Sequence, residues 1–158
     1  MSTLTTCLWF DTEAEEAATF YTSIFPNSGI GAVARYSEAG PGEAGSVMTV
    51  SFELDGQSFM GINGGPEFTH SEAVSFQIPC ESQEEVDRYW ARLTQGGEES
   101  VCGWLKDRFG ISWQVTPRRL VELLGGSDPA TAARVAEAMF KMRKIDIAAI
   151  EEAAGNPA

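Results

Sequence analysis

Two stretches of this chain carry the same succession of signals, and that repetition limits the fold more than any other feature. Residues 5–10 alternate, with Thr6, Leu8 and Phe10 on one face and Thr5, Cys7 and Trp9 on the other, as in a half-buried strand. Residues 73–78 alternate likewise, with Val74, Phe76 and Ile78 opposite Ala73, Ser75 and Gln77. Each stretch is followed by a hydroxyl residue and a Glu three positions later: Thr12 with Glu15, and Ser82 with Glu85. That pairing is a capping box, which satisfies free N–H groups of a helix's first turn.

Behind the first box, Ala14, Ala17, Ala18, Tyr21, Ile24 and Phe25 form an apolar stripe ending at Pro26; behind the second, Val86, Tyr89, Trp90 and Leu93 do so before Gly96 and Gly97. Strand-like runs follow. In the first half they are residues 30–36, 47–54 and 58–62, with Asp55-Gly56 as a tight hairpin turn. In the second half they are residues 101–105 and 111–116, with Arg108-Phe109-Gly110 at the turn. Setting Gly56 against Gly110 aligns Met60 with Gln114.

The expected class is α+β: two β-α-β-β-β repeats forming a curved mixed sheet around a cleft, plus a C-terminal helix. A sheet covered by a helix on one face only leaves the other face open, and two such faces can enclose a small ligand. The boundaries of this single domain fall at about 3–66 and about 71–117 for the repeats and about 118–153 for the helical segment. In that segment Asp128 caps a helix that Pro129 begins, and Val135, Met139 and Met142 make an interface or covering face.

Lys and Arg number 11 against 23 for Asp and Glu, a net charge of −12 that repels phosphate backbones and anionic lipids. Nucleic acid and membranes are therefore excluded as partners, and no apolar run is long enough to span a bilayer. Cys7, Cys80 and Cys102 have no C-x-x-C spacing and read as plain thiols in a reducing compartment. The chain is expected to be cytoplasmic, and open sheet edges with an Ala-rich, Met-bearing helix predict a homodimer.

Leu-Trp-Phe-Asp at 8–11, Glu-Glu-Ala-Ala-x-Phe-Tyr at 15–21 and Ile-Phe-Pro at 24–26 resemble the opening of the PhnB-like branch of the vicinal-oxygen-chelate superfamily. Asn-Gly-Gly-Pro at 63–66, Gln-Glu-Glu-Val-Asp at 83–87 and Cys-Gly-Trp-Leu-Lys-Asp at 102–107 extend the resemblance. So do Phe-Gly-Ile-Ser-Trp-Gln-Val-x-Pro at 109–117 and Lys-Ile-Asp at 144–146. Proteins of this branch often carry a 3-demethylubiquinone-9 3-methyltransferase label. The residues argue against it, since the glycine clusters near Gly40, Gly64, Gly96 and Gly125 do not sit at a strand-to-helix turn that could cradle a cofactor.

The resemblance implies a divalent metal held by the first and last strands of each repeat. Carried onto this sequence, those positions are Thr5, Met60, Ala73 and Gln114, of which only Gln114 could coordinate a cation. The expected cofactor set is therefore empty and no metal ligand is assigned. What lines the cleft by strand parity is Trp9, Met60, Ser75, Gln77, Trp104 and Gln114, aromatic walls with amides that suit a small, partly apolar ligand. Trp9 and Trp104 could equally pack in an interface. His70, Cys7 and an Asp107 beside Lys106 are secondary candidates whose ordinary readings are a loop imidazole, an inert thiol and a solvated turn pair. No catalytic residue is identified. The readings left open are a metal-independent small-molecule binding protein, a metal-dependent lyase or isomerase, and a structural subunit.

Overall fold

The computed structural model describes residues 4–156; Met1, Ser2 and Thr3, at the edge of the expected first repeat, and Pro157 and Ala158 lie outside the described residues. The chain divides into two compact units between His70 and Ser71. Each unit builds its own four-stranded mixed sheet.

In the first unit β1 (Thr6–Phe10), β2 (Gly29–Arg35), β3 (Val47–Leu54) and β4 (Gln57–Asn63) lie in the order β1-β4-β3-β2. The pair β1–β4 is parallel and the others antiparallel. The helix α1 (Ala14–Thr22) buries Ala14, Ala17, Ala18 and Tyr21 against Leu8, Phe10, Val50, Phe52 and Phe59. Tyr21, Phe52 and Phe59 stack in series, with centroids 6.3 and 5.4 Å apart. The β3–β4 hairpin turns at Asp55 and Gly56, whose φ angles of 47° and 83° are those of a two-residue turn matched to strand twist.

The expected cap at Thr12 is not formed. Helix α1 begins two residues later, its N-cap position is Glu13 with no side-chain bond, and the N–H of Ala14 is taken by Asn63 Oδ1 at 2.9 Å. Asn63 stands beside Phe10 in the β1–β4 register and also donates to the Val47 carbonyl at 3.1 Å, so the sheet itself supplies the cap.

In the second unit β5 (Ser75–Cys80), β6 (Glu98–Glu99), β7 (Trp104–Lys106) and β8 (Ser112–Pro117) repeat the order as β5-β8-β7-β6, again with one parallel pair. Here the capping box forms: Ser82 Oγ accepts from Glu85 N–H at 3.2 Å, and Glu85 reaches back to the N–H of Glu81 at 2.9 Å. It starts α2 (Gln83–Leu93), which buries Val86, Tyr89, Trp90 and Leu93 against Ile78, Leu105, Trp113 and Val115.

The strand expected over residues 101–105 starts instead at Trp104. Cys102 and Gly103 adopt φ of 60° and 82°, and their N–H groups go to the carbonyls of Met142 and Arg143 at 2.9 and 2.7 Å. The tail that receives them forms α3 (Arg118–Leu124), α4 (Pro129–Met139) and α5 (Ile147–Ala153). Asp128 caps α4 through the Ala130 N–H at 3.1 Å, as its sequence predicts. Met139 and Met142 do not present a free face, because they pack on a cluster of Leu120, Leu123, Val135, Ile145 and Ile150.

Candidate functional site

The strand registers fix which side chains share a face. In the first unit Cys7 pairs with Met60 and Trp9 with Ile62, so these side chains lie on the face turned away from α1. Met60 lines a hollow of about 600 Å³ with Thr5, Gly31 and Ser51. Trp9 sits further along, its indole N–H donating to the Gly65 carbonyl at 2.9 Å and its ring meeting Phe68 edge-on at 4.9 Å. Gly64 permits this, since a Cβ there would lie 2.2 Å from the ring.

In the second unit Gln77, Gln114 and Trp104 stand side by side across β5, β8 and β7. Gln114 Nε2 donates to Ser75 Oγ at 2.8 Å, which fixes the amide plane. The structure thus gathers Ser75, Gln77, Trp104 and Gln114 on one face of one sheet, while Trp9 and Met60 belong to the first unit.

The register also corrects the repeat alignment. Met60 faces Cys7, whereas Gln114 faces Gln77, so the equivalent of Thr5 is Ser75 and not Ala73. The two-residue slip preserves face parity, and the alternating pattern alone could not reveal it. The positions at which the superfamily resemblance implies metal ligands are then Thr5, Met60, Ser75 and Gln114: two hydroxyls, a thioether and an amide. In the second unit the two groups hydrogen-bond each other. Without a carboxylate or imidazole this donor set does not fit a divalent cation. Among the described residues no group of three or more His, Cys, Asp or Glu side chains could hold one elsewhere.

The secondary candidates are engaged in structure. His70 Nε2 lies 2.7 Å from the Trp9 carbonyl, with its ring tilted over Phe10. Asp107 is not a solvated partner of Lys106: it is 3% exposed, with Oδ1 accepting from the N–H groups of Phe109 and Ile111 and Oδ2 from the Trp113 indole. Lys106 instead pairs with Glu72. Cys7 is exposed and free. Cys80 is buried, and burial, reinforced by the charge of Glu85, pushes its thiol up to about 12. Sequence reasoning missed Ser112, which parity places on the Gln114 face and which is 1% exposed.

Two mixed sheets, each with one parallel pair and a helix on one face only, define an α+β protein built from two like units. A family model described as 3-demethylubiquinone-9 3-methyltransferase matches residues 2–116, and the chain belongs to that PhnB-like family. It is similar to the PhnB protein from Bacillus cereus at 40% identity and a TM-score of 0.67, covering 73% of this chain and 99% of that one. Its fold is also similar to that of protein PA1353 from Pseudomonas aeruginosa, at 19% identity and a TM-score of 0.61, covering 74% and 98% of the two chains. A glyoxalase/bleomycin resistance protein from Albidiferax ferrireducens T118 aligns at 16% identity and a TM-score of 0.46, over 69% and 92%. No curated protein matches the sequence.

The methyltransferase wording stands in the description of the family model and in that of the Bacillus cereus PhnB protein, and it is a name rather than an activity shown for this chain. None of the three strand-to-helix junctions of the described residues, Asp11 to Glu13 after β1, Glu81 and Ser82 after β5, and Pro117 to Arg118 where β8 runs straight into α3, contains a glycine that would let a nucleotide cofactor approach the backbone. No helix of the described residues is long and apolar enough to cross a membrane.

Proposed function

We propose that this chain is a small-molecule binding protein that holds its ligand without a metal, on the second unit's sheet face carrying Ser75, Gln77, Trp104 and Gln114. The observation that supports this most is the Gln114–Ser75 hydrogen bond, flanked in register by Gln77 and Trp104. An amide held rigid by a hydroxyl and set beside an indole has donors and acceptors ready for a ligand at little entropic cost. The working form is a homodimer in the cytoplasm. Ile30 and Val33, 43% and 39% exposed on the edge strand β2, offer an apolar edge for self-association, and all three cysteines are free.

The test is a thermal-shift screen of a small-molecule collection, run beside a series of zinc, nickel, manganese and magnesium, on wild type and Gln114→Ala. Ligands that stabilise the wild type should lose about 1–3 kcal/mol of binding in the variant while its fold stays intact. A metal that stabilises the wild type strongly and Gln114→Ala not at all would overturn this reading in favour of a metal-dependent lyase or isomerase. Light scattering at micromolar concentration should report twice the chain mass.

A further inference from the structure

We infer that the ligand of this face carries a cationic nitrogen, which is held at Ser112 and Glu98; the inference rests on the binding reading above and adds the chemical class. The starting observation is Ser112 Oγ, a buried hydroxyl with no hydrogen-bond partner. Buried polar groups are almost always partnered, because desolvation without a new bond is unfavourable. An orphan on a binding face therefore calls for a partner from outside the chain.

Ser112 pairs in register with Lys106 on one side and Ser75 on the other, so its side chain shares the Gln114 face, two residues from Gln114 itself. It lines a cavity of about 300 Å³ together with Trp104, Lys106, Glu72, Glu98 and Glu99. That volume lies at the small end of ligand pockets and suits a molecule of one ring.

Charge decides what enters. The single cation of the lining, Lys106, is already paired with Glu72. Glu99 accepts the Trp90 indole N–H at 2.6 Å and lies 3.9 Å from Arg143. Glu98 is exposed, faces Lys106 across the β6–β7 pair and leaves the cavity with an excess negative charge. An anionic ligand would meet the Glu98 and Glu72 carboxylates and an ammonium already engaged, while Glu99 turns its carboxylate to the α2 side of the sheet. An ammonium can donate to Ser112 Oγ, lie against Glu98 and rest on the Trp104 ring, which attracts cations through its quadrupole. The chain's net charge of −12 favours the same sign of ligand at long range.

The experiment uses three probes of one shape, benzylamine, benzyl alcohol and benzoate, titrated into the full chain by calorimetry with tryptophan fluorescence alongside. Benzylamine should bind most tightly, benzoate not measurably, and added salt should weaken the amine. Ser112→Ala and Glu98→Gln should each weaken benzylamine by about tenfold. Ser112→Ala should also raise the melting temperature of the free protein, because it removes an unpartnered buried hydroxyl, an effect opposite in sign to that of losing a structural hydrogen bond. Glu98 is exposed, so Glu98→Gln folds normally and keeps the test valid whatever Ser112→Ala does. Benzoate binding as well as benzylamine, or amine binding untouched by both variants, overturns the inference, as does the failure of benzylamine to bind. Binding of benzyl alcohol as tight as that of benzylamine, weakened by Gln114→Ala and indifferent to Ser112→Ala, would overturn the cationic class and leave the proposed function standing.

Discussion

The indole N–H of Trp113 donates to Asp107 Oδ2 at 2.8 Å, joining a buried carboxylate to a buried aromatic six residues along the chain. The other carboxylate oxygen holds the N–H groups of Phe109 and Ile111, so one side chain organises the whole β7–β8 turn. Asp107→Asn, which replaces one acceptor oxygen with a donor, should lower unfolding stability by about 3 kcal/mol in urea denaturation. A loss below about 1 kcal/mol would mean that the turn does not depend on the carboxylate.

Gly103 is the second sensitive point. Its φ is 82°, and an added Cβ would lie 2.9 Å from the Val115 carbonyl oxygen and 3.0 Å from Ile145 Cγ1. Gly103→Ala should therefore cost about 3 kcal/mol, from left-handed strain and overpacking together. Gly45 has a φ of 87° with nothing within 4 Å of its would-be Cβ, so Gly45→Ala should cost only about 1 kcal/mol. Equal losses in the two variants would contradict this difference in surroundings.

Around Trp9 the expected readout is spectroscopic. Gly64→Ala would put a methyl into the indole ring, so the ring must leave the Gly65 carbonyl and Phe68. The fluorescence emission should shift to the red, with a stability loss of about 2 kcal/mol. An unchanged spectrum would show that the ring is not held there.

The cysteines predict a pH dependence. The Cys80 thiol is raised from 9.0 to about 12 in the folded chain, so the native state keeps its proton where the unfolded chain loses it. Stability from this group is complete below pH 9.0 and falls as pH rises toward about 12; Tyr89, also raised by burial, acts in the same direction above its ordinary 10.0. A Cys80→Ala variant should lose less stability between these pH values than the wild type. At pH 8 a thiol reagent should label exposed Cys7 in the native protein and Cys80 only after denaturation, and rapid native labelling of Cys80 would refute its burial.

The features legible in the sequence are those written within a few residues. The alternation of β1, the Asp55-Gly56 turn, the Ser82 capping box and the Asp128-Pro129 helix start all depend on neighbours in the chain, as does the parity of β5, although that strand runs Ser75–Cys80 rather than over 73–78 and leaves Val74 exposed. What escaped depends on residues far apart. The α1 cap comes from Asn63, 49 residues beyond Ala14, and the start of β7 is displaced because Cys102 and Gly103 donate to a tail 40 residues later. The gathering of Ser75, Gln77, Trp104 and Gln114 followed from parity, but the exchange of Ala73 for Ser75 needed the ladder itself. Ser112 was within reach of the same parity argument. Only its burial marks it out, and burial is not written in a strand pattern.

The different origins of the two helix caps make one helix start local and the other long-range. Helix α2 carries its cap in its own sequence, through Ser82 and Glu85, and can begin to nucleate in an otherwise unfolded chain. Helix α1 borrows its cap from the far end of β4, so its first turn is secured only after the chain has closed a loop from Asn63 back to Ala14. Duplicate units of nearly the same architecture are thus expected to differ in their folding transition states, with higher φ-values in the first turn of α2 than in that of α1.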